Sequence, residues 1–120
     1  KDVIKSGGEW ISSIDLENIA MSHPEIVEAA AIGMKHPEWD ERPLIVAVRK
    51  PGSAIDRQDV LARYTGQIAK WSIPDDVLFV AELPHTATGK VSKLILRERL
   101  AGYCWPSQEA RNRLTLEIQG

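Results

Sequence analysis

The stretch VEAAAIGM at residues 27–34 and the stretch LIVAV at residues 44–48 decide the fold class of this chain. Both are short and apolar, and the second is rich in β-branched side chains, which favours buried β-strands. A third run of the same kind, VLFV, occupies residues 77–80. Together the three runs predict a roughly three-stranded sheet.

A β-hairpin is predicted ahead of this sheet, within residues 1–12. Two β-forming segments flank the stretch SGGE at residues 6–9, whose residue types favour a tight turn. The loop HPEWDERP at residues 36–43 would connect the first two sheet strands.

Three helices are predicted to pack on the sheet, which gives a small α+β domain. Ser13 is expected to cap the first helix. The second would run from Asp56 to about residue 70. The third would begin at Ser92 and end near residue 101, and its apolar stripe would comprise Leu94, Ile95 and Leu100.

Composition indicates one soluble domain. The chain has 120 residues, of which 43% are hydrophobic, and a net charge of -2. This charge argues against nucleic acid or an anionic membrane as a non-specific partner, and no apolar run approaches the roughly 18 residues of a membrane span. The one cysteine, Cys104, forms no internal disulfide, so we expect a reducing, cytoplasmic setting. Because the chain opens on Lys1 inside a β-like segment, we interpret it as a piece of a longer protein.

The polar loop TATGK at residues 86–90 is the stronger candidate for chemistry. Thr88 and Gly89 let the backbone approach an anion, and Lys90 supplies a mobile positive charge for phosphate or carboxylate oxygens. A Walker A loop is excluded because Pro84 replaces its first glycine and Val91 its Ser/Thr. The alternative interpretation is a solvated turn with a surface lysine.

The hairpin is the second candidate. Gly7 and Gly8 allow close backbone approach to a ligand, and Trp10 is suited to stacking on an adenine or lining an apolar tunnel. Lys5 and Glu9 flank these positions. The alternative is a plain turn with a half-buried tryptophan. The three histidines of the chain lie far apart without acidic or cysteine partners, so no metal site is expected.

The two loops resemble paired motifs of the adenylate-forming superfamily, which includes acyl-CoA synthetases, luciferases and adenylation domains of peptide synthetases. KDVIKSGGEWIS at residues 1–12 resembles the hinge-and-hairpin motif, and PHTATGKVSK at residues 84–93 resembles the C-terminal lysine motif. The hairpin string, with HPEW and ERP in residues 36–43, is similar to the medium- and long-chain fatty-acyl-CoA synthetase branch. The resemblance implies a C-terminal lid domain at residues 1–102, followed by an extension of unknown role at residues 103–120.

This resemblance implies a ligase that works in two half-reactions. A carboxylate, such as that of a fatty acid, attacks the α-phosphate of ATP to form an acyl-adenylate, and the CoA thiol then displaces AMP. The small domain rotates between the two steps. The implied partner is a large N-terminal domain of the same polypeptide, which holds most of the substrates and the Mg²⁺ that arrives with ATP; a homo-oligomer of the full-length enzyme is compatible with it.

The resemblance also implies roles for single residues. Lys90 would stabilise the transition state of adenylation, and Lys1 would be the hinge. Lys5 would meet the adenylate side during thioester formation, and Gly8 would lie beside the pantetheine tunnel. The remaining residues implied to face CoA or the adenylate are Gly7, Glu9, Trp10, Thr88 and Gly89.

Two other functions fit the same residues. A free-standing binding module would dock on a partner through the hairpin face. An adenylation domain would pass its acyl group to a carrier protein instead of CoA.

Overall fold

The computed structural model describes residues 3–103, and these residues form an α+β domain around one mixed sheet of five strands. The strands are β1 (Val3–Ser6), β2 (Glu9–Ser12), β3 (Ile26–His36), β4 (Asp40–Arg49) and β5 (Asp76–Phe79). The helices are α1 (Ser13–Met21), α2 (Arg57–Leu61) and α3 (Lys93–Arg99), with 3-10 turns at Ala62–Tyr64 and Lys70–Ser72. The predicted α+β class and N-terminal hairpin are confirmed.

The antiparallel ribbon of β3 and β4 is the centre of the sheet. Its register runs from Ile26 opposite Arg49 to His36 opposite Asp40. On the other side of β4, β5 pairs in parallel, and β1 joins at a single pair, Ser6 opposite Asp40. The hairpin of β1 and β2 therefore attaches at the end of the ribbon where β4 begins.

Both faces of the ribbon are covered, which explains its nearly continuous apolar sequence. Alternate residues of β3 and β4 contribute to two separate buried clusters. One cluster lies under α1 and α2 and includes Leu16, Val60 and Tyr64. The other includes Leu83 and Leu96 of α3. The sheet is thus held between helices on two sides.

Glu17 of α1 closes the outer edge of β3. Its Oε2 accepts a hydrogen bond of 2.9 Å from the backbone N–H of Ala31 and an ion pair of 2.8 Å from Nζ of Lys93. Lys93 also donates to Oγ of Ser13 at 3.2 Å. An exposed strand edge is a template for unwanted pairing, and here one carboxylate satisfies an edge N–H while it joins α1 to α3.

Tyr64 anchors the same helix from below. Its hydroxyl donates to the carbonyl of Leu16 at 2.7 Å, and its side chain is fully buried. Burial, and secondly the negative charge of Glu17, raise the pKa of the Tyr64 hydroxyl above its ordinary value. The phenol therefore remains a neutral donor at all physiological pH values.

The second predicted helix is much shorter than expected. It begins at its Asp56 cap but ends at Leu61, not near residue 70. A 3-10 turn follows, and Thr65 then takes an extended conformation before Gly66 at φ +80°. Tyr64 is buried as the apolar pattern predicted, but a positive φ ends the helical path.

Three local predictions are also wrong. Ser12 caps α1, where Ser13 was expected, and Ser13 is a buried helical residue. The loop assigned to residues 36–43 is a short turn, because β4 already begins at Asp40. In α3, Leu94 is 69% exposed and Ile95 37% exposed, whereas Leu96 is buried. The core face of α3 follows the i, i+4 pair of Leu96 and Leu100.

Replacement of Glu17 by alanine tests the edge contact. We expect Glu17→Ala to lower the free energy of unfolding by about 1–3 kcal/mol, because it removes the acceptor of a strand-edge N–H and the carboxylate that pairs with the largely buried Lys93 ammonium. Urea denaturation of the chain measures this loss. The exposed helical glutamate Glu98 provides the matched control, and Glu98→Ala should change stability by no more than about 0.5 kcal/mol. Equal effects of the two substitutions would contradict the role of Glu17.

Candidate functional site

Residues 86–89 form a tight turn that presents Lys90. The N–H of Gly89 donates to the carbonyl of Thr86 at 2.9 Å, and the N–H of Thr86 donates to the carbonyl of Lys90 at 2.7 Å. The hydroxyls of Thr86 and Thr88 lie 3.0 Å apart. Gly89 has a φ of +87°, which the turn requires and which glycine adopts without strain. Thr88, Gly89 and Lys90, which are consecutive in the chain, thus lie exposed on one turn.

Contacts on both sides hold this turn in place. Before it, Nε2 of His85 lies 2.8 Å from Oε2 of Glu28 on β3. After it, Ser92 caps α3, and Lys93 is tied to Glu17. Lys90 itself is exposed, and within residues 3–103 its ammonium has no hydrogen-bond or ion-pair partner. The backbone of the turn is thus held in place, while the Lys90 ammonium projects from it without a partner among residues 3–103.

The hairpin turn consists of two glycines in left-handed conformations. Gly7 has φ +56° and Gly8 has φ +87°, and Ser6 pairs with Glu9 across them. These angles are typical of a type I′ turn, which matches the twist of its strands. The N–H of Gly7 donates to the carbonyl of Trp39 at 2.8 Å. No atom lies within 4 Å of a Cβ built on Gly8, so the space beside that residue is open.

Lys5 and Trp10 form a cross-strand pair on the exposed surface of the hairpin. Nζ of Lys5 lies 5.9 Å from the centroid of the Trp10 ring, within the outer limit of a cation–π contact. Trp10 is 63% exposed, which is more than the half-buried residue of the alternative interpretation. With Arg97 of α3, the pair lines an open groove of about 520 Å³.

A second open cleft, of about 510 Å³, lies beside the glycine turn, and sequence reasoning missed it. Its lining includes Gly7, Glu9, Trp39 and Trp71. Trp71 is 49% exposed and Trp39 is 52% exposed. Large apolar side chains that remain exposed at a cleft often mark a binding surface. The sequence signal that could have predicted this cleft is the presence of Trp39 and Trp71 in segments without a predicted helix or strand.

The two candidate sites are tethered near opposite ends of the β3–β4 ribbon. The Lys90 turn is tethered through Glu28, which is opposite Val48, whereas the hairpin joins at Asp40, which is opposite His36. The eight residue steps between Glu28 and His36 correspond to about 26 Å at about 3.3 Å per residue. The sequence predicted both sites but not this separation.

Two further sequence predictions concern a metal site and a membrane span. Among residues 3–103, no group of three or more His, Cys, Asp or Glu side chains is arranged to hold a metal ion. In the same range, every helix is too short or too polar to cross a membrane. Lys1, the predicted hinge, and Cys104 lie outside the described residues.

Comparison with known proteins identifies a family for most of this fold. The family described as AMP-binding enzyme C-terminal domain matches residues 15–90. The 3-methylmercaptopropionyl-CoA ligase of Ruegeria pomeroyi is 60% identical over 99 residues, which cover 82% of this chain and 18% of the relative. The medium-chain-fatty-acid–CoA ligase of Ectopseudomonas oleovorans is 52% identical over 99 residues, again 82% of this chain and 18% of the relative.

A solved structure supports the same grouping. Apo MatB from Rhodopseudomonas palustris superposes with a TM-score of 0.80 at 38% sequence identity, covering 83% of this chain and 20% of that one. The present chain therefore spans about a fifth of the length of the proteins that it matches.

Alanine at each of the two turn glycines tests the hairpin geometry. A Cβ on Gly7 would lie 2.8 Å from Cε3 of Trp39, whereas a Cβ on Gly8 meets open space. Both substitutions carry a backbone cost of about 1–2 kcal/mol for a left-handed residue. We expect Gly7→Ala to reduce the free energy of unfolding further, because the Trp39 ring must move. Urea denaturation of both variants measures the difference, and equal losses would contradict the contact with Trp39.

Proposed function

This chain belongs to the AMP-binding enzyme C-terminal domain family, and on that premise we propose that it is the mobile C-terminal domain of an AMP-forming acyl-CoA ligase. Its relatives are about five times as long. In this proposal a large N-terminal domain of the same polypeptide binds ATP, its Mg²⁺ and the acid. Residues 1–102 form the lid domain, and Lys1 is the hinge between the two domains.

The separation of the two loops is the observation that carries the proposal. The residues that tether the Lys90 turn and the glycine turn lie about 26 Å apart along the ribbon, which favours a different orientation of the domain for each loop. A domain that serves two consecutive steps would rotate to present each loop in turn. This arrangement supports a two-step reaction over a one-step binding role.

In the first step, Lys90 would face the reacting groups. A carboxylate oxygen of the acid attacks the α-phosphorus of ATP, the bond to the β,γ-phosphates breaks, and pyrophosphate leaves. Negative charge accumulates on the oxygens during this transfer, and a positioned ammonium stabilises it. The exposed Lys90 ammonium on an anchored turn suits this role. Thr88 and Gly89 allow the phosphate oxygens to approach the backbone of the turn closely.

In the second step, the hairpin would face the acyl-adenylate. The CoA sulfur attacks the acyl carbonyl, the bond from that carbon to the phosphate oxygen breaks, and AMP leaves. The open space beside Gly8 leaves room for the thiol arm. Lys5 and Trp10 present a cation and an aromatic face on the exposed side of the same hairpin.

The cleft beside Gly7 is suited to the nucleotide end of CoA. Trp39 and Trp71 line it, and each is about half exposed. Indole faces stack on adenine with an energy of about 1–3 kcal/mol per base. This feature favours CoA over a carrier protein as the acyl acceptor, because a carrier protein presents its thiol arm without an adenine.

The acid is proposed from the relatives. One is named for 3-methylmercaptopropionyl-CoA and another for medium-chain fatty acids. We therefore propose a short or medium-chain aliphatic carboxylic acid, as expected for a fatty-acyl-CoA synthetase branch.

Lys90→Ala in the full-length ligase tests the first step. We expect adenylate formation to fall by about 100- to 1,000-fold, the effect of removing one positioned transition-state donor. Thioester formation from preformed acyl-adenylate should be largely retained. Single-turnover kinetics of each half-reaction measure this split, with Lys50→Ala as a control at another exposed lysine. Equal losses in both steps, or none in either, would contradict the proposal.

Trp71→Ala in the same enzyme tests the cleft. We expect the KM for CoA to rise by about 10-fold, which corresponds to one lost stacking contact, while adenylate formation is unchanged. Steady-state kinetics with varied CoA and pyrophosphate exchange measure the two quantities. Leu94→Ala removes an exposed apolar side chain away from the cleft and should alter neither. An unchanged KM for CoA would reject this cleft as the nucleotide site.

A further inference from the structure

Arg42 is a buried cation whose guanidinium is almost fully used within the domain. Nε and Nη2 contact Oδ1 of Asp75 at 2.9 Å and 2.8 Å. Nη1 donates to Oγ of Ser6 at 2.9 Å and to the carbonyl of Trp71 at 2.8 Å, and Nη2 donates to the carbonyl of Ile73 at 3.0 Å. Only 10% of the side chain is exposed.

These contacts join three separate segments of the chain. Arg42 itself lies on β4, Ser6 is the last residue of β1, and Trp71 and Ile73 belong to the irregular segment before β5. Ser6 directly precedes the glycine turn, and Trp71 is one of the two exposed tryptophans of the cleft. Arg42 itself lines the cleft, and its guanidinium binds backbone or side-chain atoms of the elements along it.

Arg42 holds a segment that has little regular structure of its own. The segment from Gln67 to Asp75 contains only one short 3-10 turn, so few regular hydrogen bonds hold it. Two of its carbonyls and one of its carboxylates instead point at Arg42. A planar guanidinium supplies five N–H groups in a fixed fork, which a lysine ammonium cannot reproduce.

We propose that Arg42 is a positioning residue that fixes Trp71 and the glycine turn relative to each other, and so sets the width of the cleft that receives the nucleotide end of CoA. This inference rests on the proposed function. Arg42 acts through Trp71 and Ser6 and does not itself need to touch the substrate, because its donors are already occupied. A change at Arg42 should therefore alter the preference for the CoA nucleotide while it spares adenylate formation.

Comparison of CoA with pantetheine isolates this role, since pantetheine carries the same thiol arm without the nucleotide. The full-length ligase is assayed with Arg42→Lys, which keeps the positive charge beside Asp75, and with Ser6→Ala, which removes only the hairpin contact. We expect Arg42→Lys to reduce the ratio of kcat/KM for CoA to kcat/KM for pantetheine by about 10-fold or more. Ser6→Ala should shift the ratio in the same direction by less, and pyrophosphate exchange should be unchanged in both.

Arg57 provides the matched control. It forms an arginine–aspartate pair with Asp76 at 3.0 Å away from the cleft, so Arg57→Lys should keep the wild-type ratio.

A merely structural role for Arg42 would lower both kcat/KM values together and leave their ratio unchanged, which would overturn the inference. If Arg42→Lys does not fold, an unchanged ratio in Ser6→Ala would overturn it equally. A wild-type enzyme without any preference for CoA over pantetheine would instead refute the cleft assignment in the proposed function.

Discussion

The long antiparallel pairing of β3 with β4 is the constraint on which the rest of the domain depends. Ten registered pairs form a stiff ribbon that is buried on both faces. The hairpin is attached at Asp40, near one end of the ribbon, and the Lys90 turn is held at Glu28, near the other. The distance between these two attachment points therefore follows from strand length.

Two buried polar residues transmit this rigidity to the loops. Glu17 joins α1, the edge of β3 and the start of α3, and α3 directly follows the Lys90 turn. Arg42 joins β4, the hairpin and the segment that carries Trp71. A buried charge is tolerated only when it is well paired. The partners of Glu17 lie in β3 and at the first residue of α3, whereas three partners of Arg42 lie in the irregular segment before β5. Glu17 thus holds the helix that follows the Lys90 turn, and Arg42 fixes irregular backbone beside the cleft.

The sequence predicted the elements that depend on local signals. The strand runs, the glycine turn and the Asp56 and Ser92 caps have residue types that favour one conformation, and all appear in the structure. Prediction failed where tertiary contacts outweighed the local pattern. The apolar spacing through Tyr64 suggested a continuing helix, but Thr65 and Gly66 turn the chain away from it. In α3 three neighbouring apolar residues permitted more than one core face, and only packing against the sheet selected Leu96.

The sequence by itself determined the fold class, the two loops and the residue types that give each loop its chemistry, because turns, caps and apolar periods are encoded within a few neighbouring positions. The tertiary structure alone decided three further features. These are the separation of the loops along the ribbon, the open cleft beside Trp39 and Trp71, and the burial of Arg42 among its four partner residues. The physical reason is that each of these features joins residues about 30 or more positions apart in the chain, and only the packing of the sheet and helices brings such residues together.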